Sequence, residues 1–111
     1  MSKTTYTVEL LSFAKKDLKG LWQIKDEIVR RLLELEKNPN KGHDLSGNLQ
    51  GVKSLEFNIK GSGQYRAGYV VQENEKICSI VAIGTHENFY EFLSKRVKLI
   101  KSLLEKTRKE F

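Results

Sequence analysis

Leu55-Glu56-Phe57-Asn58-Ile59-Lys60-Gly61-Ser62-Gly63-Gln64-Tyr65-Arg66-Ala67-Gly68-Tyr69 is the stretch whose pattern sets the fold. Leu55, Phe57 and Ile59 alternate with Glu56, Asn58 and Lys60. Side chains on an extended chain alternate between two faces, so this pattern predicts a strand with one apolar side and one charged side. Gly61-Ser62-Gly63 supplies a turn, and a second strand runs from about Tyr65 to Gln72. If the two strands pair as a hairpin, Arg66, Glu56 and Lys60 share one face, opposite the side that carries Tyr65 and Tyr69.

On the C-terminal side, Glu73-Asn74-Glu75 makes a turn into Ile77 to Ile83, which is apolar at nearly every position. A run of that kind predicts a central strand covered on both faces. Gly84 breaks it, and Phe89, Leu93, Val97, Ile100 and Leu104 mark one stripe of a long helix from about residue 87. On the N-terminal side, Tyr6, Val8 and Leu10 alternate as a short strand, and Ser12 is expected to cap a helix that stops at Gly20. Ile24, Ile28, Leu32 and Leu35 define a second amphipathic helix that ends near Lys37-Asn38-Pro39. Asn40 to Gly51 is polar and glycine-rich, and reads as a loop pinned by Leu45 and Leu49. The predicted order is β-α-α-β-β-β-α: an α+β domain, residues 1–111, with a mainly antiparallel sheet whose strand order the sequence does not reveal.

A chain of 111 residues suits one such domain, which buries roughly two-thirds of its unfolded surface. Hydrophobic residues at 39% and charged residues at 31% exclude a disordered chain. No apolar run reaches the roughly 18 residues that cross a bilayer. Met1 to Tyr6 has no secretory pattern, so no membrane partner and a cytoplasmic location are expected. Cys78 is the only cysteine, and with His43 and His86 it makes no zinc-like spacing; no metal or other cofactor is expected.

The net charge of +6 favours polyanionic partners. Seven basic and three acidic residues lie between Asn88 and Phe111, so much of the excess sits on the last helix. Its cations are Lys95, Arg96, Lys98, Lys101, Lys106, Arg108 and Lys109.

Two cations beside one carboxylate, as on the Arg66, Glu56 and Lys60 face, can grip a phosphate and move a proton near it. An ordinary solvated face has the same pattern. Gly84-Thr85-His86-Glu87-Asn88-Phe89-Tyr90 leaves the central strand for the last helix. It offers an imidazole that can donate or accept a proton near neutral pH and a tyrosine able to stack on a base; the plainer reading, the commoner one for such residues taken singly, makes His86 a cap and Tyr90 part of the core. Cys78 reads as core, His43 as surface, and Trp22 as packing between the first two helices.

Leu45-Ser46-Gly47-Asn48-Leu49-Gln50-Gly51, Leu55-Glu56-Phe57, Gln64-Tyr65-Arg66-Ala67-Gly68-Tyr69 and Ile83-Gly84-Thr85-His86-Glu87-Asn88-Phe89-Tyr90, in this order and spacing, resemble the RelE/ParE superfamily of toxins from type II toxin-antitoxin systems. The likeness runs from about Val8 to Val97. It implies a metal-independent, ribosome-dependent messenger RNA endonuclease that inhibits translation and is restrained by a cognate antitoxin. By position, Arg66 matches the family's phosphate-binding arginine, with Lys60 assisting. His86 would be the general acid, Tyr90 would stack on a base or orient the phosphate, and Glu56 would be the base. Lys53, Lys95, Arg96 and Lys98 are expected to contact RNA. Glu56 and Asn58 stand where some relatives carry lysines, which weakens a lysine-driven mechanism. A ParE-like gyrase inhibitor without a nuclease site, or an inactive nucleic-acid- or protein-binding member, would share the fold.

Overall fold

The computed structural model describes residues 5–85 and 87–108, with side chains up to residue 105. The chain enters through strand β1 (Thr7–Leu10), then helices α1 (Ser12–Gly20) and α2 (Lys25–Leu32). A two-residue strand β2 (His43–Asp44) precedes the meander β3 (Lys53–Ile59), β4 (Gly63–Gln72) and β5 (Ile77–Thr85), and helices α3 (Phe89–Ser94) and α4 (Val97–Arg108) close it. The predicted α+β order holds, and the sheet order is β1-β5-β4-β3-β2. β1 lies parallel to β5, from Thr7 opposite Ile77 to Leu10 opposite Ile80, whereas the other pairs are antiparallel.

Both faces of the sheet are covered. Ala14, Leu18, Ile28 and Leu32 of the first two helices pack on Leu55, Phe57, Ile59, Tyr65, Ala67 and Tyr69. Phe89, Leu93 and Ile100 pack on Val70, Val81 and Ala82 on the other side. β5 is therefore an interior strand, between β1 and β4, and is covered and apolar on both sides, as its composition predicted. It also carries a bulge: Gly68 opposes Ala82 but Tyr69 opposes Ile80, so Val81 is the extra residue and joins Ala82 in the same cluster. Gly68 lets the C-terminal helices come close, because a Cβ there would lie 2.8 Å from Leu93 Cδ2.

Several local expectations change. Ser12 is the first residue of α1 and Leu11 its cap, with no side-chain capping bond. The acidic first turn and basic last turn of α2 suit the helix dipole, after which a tighter turn, Leu33–Glu36, leads to Pro39. The polar loop is partly paired, because Tyr69 reaches under it. The Tyr69 hydroxyl donates to Pro39 O at 2.7 Å and accepts from Gly42 N at 2.9 Å. This anchor places His43 opposite Ser54. Trp22 does not pack the helical junction; it is 70% exposed.

The expected single C-terminal helix is two. They break at Lys95-Arg96, where the Arg96 side chain turns inward and its carbonyl accepts from Ile100 N at 3.1 Å. No described helix is long and apolar enough to cross a membrane.

Candidate active site

The β3–β4 register puts Glu56 directly opposite Arg66, and the β4–β5 register puts Gly84 on the other side of Arg66. The hairpin expected from alternation is thus formed, and it aims Arg66 and Glu56 at the face covered by the C-terminal helices. Arg66 is 8% exposed. Its Nη2 lies 3.2 Å from Glu56 Oε2, and its Nη1 donates to the Tyr90 hydroxyl at 2.8 Å. The guanidinium carbon is 5.1 Å from the Tyr90 ring centroid, close enough for a cation–π attraction.

Three residues that the sequence separates by up to 34 positions therefore form one cluster, with Arg66 buried and Glu56 and Tyr90 about half exposed. A buried guanidinium fixed by two neighbours is a preorganised anion holder. An accessible carboxylate beside it can take a proton. A half-exposed phenol can stack on a base while its hydroxyl orients the cation.

Lys60 lies just past β3, in the exposed turn that joins it to β4. His86 lies outside the described residues; its neighbour Thr85 opposes Tyr65 at the end of β5. Of the expected RNA contacts, Lys95 and Lys98 are exposed. Lys95 borders an open cleft of about 400 Å³ at the end of β5, with Gly84, Thr85 and Glu87. Lys53 is drawn to Asp44 at 2.6 Å, its side chain 18% exposed.

Arg96 differs most from its expected role. Nη1 and Nη2 bind Asp17 at 2.7 and 2.9 Å, Nη1 also donates to Val81 O at 2.8 Å, and the guanidinium stands 4.3 Å from the Phe92 ring centroid. That geometry makes it an internal tie between α1, β5 and the α3–α4 break, because its donors already point at protein. Of the more distal cations, Lys109 and the side chains of Lys106 and Arg108 lie outside the described residues.

Sequence reasoning passed over Arg31. It sits on α2 among polar residues, yet its Nη2 donates to Asn58 O at 3.2 Å and so brings a third cation to the β3 edge. The only signal was the adjacent Arg30-Arg31 in the last turn of the helix. Among the described residues, no group of three or more His, Cys, Asp or Glu is placed to hold a metal ion.

The sheet carries a helical pair on one face and a C-terminal helical pair on the other, with an arginine-centred cluster between β3, β4 and α3. The chain belongs to the ParE-like toxins of type II bacterial toxin-antitoxin systems, whose family model matches residues 7–94. Among solved structures it is similar to a RelBE toxin-antitoxin complex of Mycobacterium tuberculosis, with 23% identity and a TM-score of 0.66 over 77% of this chain and 95% of that one. It is also similar to a variant of the Escherichia coli toxin RelE in the free state, with 22% identity and a TM-score of 0.66 over 86% of this chain and 98% of the other. The E. coli RelE toxin solved in isolation aligns with 20% identity and a TM-score of 0.57, over 83% and 98% of the two chains. Among curated proteins, none matches.

Proposed function

We propose that this chain is a metal-independent, ribosome-dependent messenger RNA endonuclease, acting as one toxin domain restrained by a cognate antitoxin protein. The observation that carries the reading is the buried Arg66 guanidinium gripped by Glu56 and Tyr90. Such a cluster is chemically suited to phosphoryl transfer.

In the reaction, Glu56 removes the proton from a ribose 2′-hydroxyl. The 2′-oxygen attacks the adjacent phosphorus as the bond to the 5′-oxygen breaks. Arg66 exchanges its contact with Glu56 for the phosphate oxygens and stabilises the charge that builds there. Tyr90 stacks on a neighbouring base and keeps the guanidinium aligned. His86, assigned by resemblance, returns a proton to the departing 5′-oxygen. The products are a 2′,3′-cyclic phosphate and a 5′-hydroxyl. Lys60, Lys53, Lys95 and Lys98 contribute attraction for RNA on a chain whose net charge is +6.

The similar M. tuberculosis structure is a toxin-antitoxin complex, and an antitoxin segment is the partner proposed here. The ParE-like description of the family keeps a second reading open, a gyrase inhibitor without nuclease chemistry. Purified chain offered programmed ribosomes and, separately, gyrase with relaxed plasmid distinguishes the two. Messenger cleavage with normal supercoiling supports the nuclease; blocked supercoiling with intact messenger supports the inhibitor.

A further inference from the structure

Two rungs beyond the Arg66–Glu56 pair, and next to it on the same face, Asn58 opposes Gln64. Two residues along a strand is a step of roughly 7 Å, comparable to one nucleotide of extended RNA. By strand alternation both carboxamides point to the same face as Glu56 and Arg66, and both residues are exposed.

They open into a cleft of about 430 Å³ lined by Arg31, Glu56, Phe57, Asn58, Gln64 and Tyr65. The cleft exists because β2 pairs only with Lys53 and Ser54, leaving the β3 edge beyond them without a strand neighbour. Its floor is backed from the opposite face of the sheet, where the Phe57 and Tyr65 rings stack with centroids 6.3 Å apart, and Arg31 is held at the edge by Asn58 O.

We infer that this cleft is a nucleotide subsite: Asn58 and Gln64 read the edge of the base next to the cleaved linkage, and Arg31 holds that nucleotide's phosphate. The inference rests on the nuclease reading and deepens it. Carboxamides present a donor beside an acceptor, the pattern that adenine matches best, and single-stranded RNA is read through exposed base edges of this kind. Arg31 spends one of its five donors on Asn58 O, and a guanidinium suits phosphate.

The test maps cleavage sites across a pool of messengers on ribosomes. Wild-type protein favours adenine at one position beside the cut. Asn58→Ala with Gln64→Ala flattens that preference by about tenfold or more. Asn58→Asp with Gln64→Glu keeps the side-chain shapes but offers acceptors only, and shifts the preference toward cytosine, whose amino group donates. Arg31→Ala raises KM and leaves the base preference alone. Circular dichroism confirms that each variant folds, and the acid pair serves if the alanine pair does not. Cleavage by wild type with no base preference there, or a preference that survives both double substitutions, overturns the subsite. A wild-type protein that cuts nothing overturns the nuclease reading beneath it.

Discussion

The Arg66 guanidinium donates to the Tyr90 hydroxyl at 2.8 Å while lying 5.1 Å from the centroid of the same ring. One tyrosine therefore acts on the arginine through both its oxygen and its π-face, and the two contributions separate by substitution. Tyr90→Phe keeps the ring and loses the hydrogen bond; we expect cleavage to fall about tenfold. Tyr90→Ala removes both, and a fall of about 10²-fold is expected, in the range of one lost electrostatic stabiliser. Single-turnover cleavage on ribosomes measures this; equal effects of Phe and Ala would mean that the ring contributes nothing.

Arg66→Lys is expected to be nearly as inactive as Arg66→Ala. Arg66 engages Glu56 and Tyr90 through different nitrogens of one planar fork, which an ammonium cannot reproduce. Cleavage rates for the two variants decide it, and a lysine variant within threefold of wild type would show that charge alone suffices.

Asp17 and Arg96 extend the sheet where a strand is missing. β1 pairs with β5 only up to Ile80; beyond it, Asp17 Oδ2 accepts from Ile83 N at 2.9 Å and Arg96 donates to Val81 O. Both side chains are about 90% buried. Arg96→Ala leaves a buried carboxylate without its cation and should lower unfolding free energy by about 3–5 kcal/mol. The double variant with Asp17→Ala should lose less than the sum of the singles. Denaturant titrations provide the check, and strict additivity would mean the pair is uncoupled.

Alkaline stability follows from two buried acids. Burial pushes the Cys78 thiol from 9.0 up to about 11 and the Tyr69 hydroxyl from 10.0 up to about 12. Both are neutral in the fold and ionise more readily when it opens. Their contribution is therefore whole below pH 9, and is lost first through Cys78 between about 9 and 11, then through Tyr69 between about 10 and 12. The urea midpoint should hold steady up to pH 9 and fall above it, and iodoacetamide should not label Cys78 in folded protein at pH 8. A midpoint unchanged at pH 11 would remove this explanation.

The site and the fold were legible in unequal measure. Alternation on both strands, Leu55 to Ile59 and Tyr65 to Tyr69, brings Glu56 and Arg66 to one face once the hairpin pairs its two apolar sets on the same side. The approach of Tyr90 came only from a family resemblance, since no local rule sets where a helix lands after a strand. Three features escaped for the same reason. The parallel placement of β1, the inward turn of Arg96 and the reach of Arg31 to the β3 edge are tertiary contacts between elements whose own patterns are ordinary. Arg96 has the sequence surroundings of an exposed helical cation, and the distant Asp17 and Val81 O make it otherwise.

The most direct test is the chemistry left at the cut. Messenger cleaved by the purified chain on ribosomes should end in a 2′,3′-cyclic phosphate with a 5′-hydroxyl on the downstream fragment, and Arg66→Ala should yield neither. Fragments that end in a 3′-hydroxyl, or a messenger that stays whole with wild-type protein, would contradict attack by the ribose oxygen at Arg66.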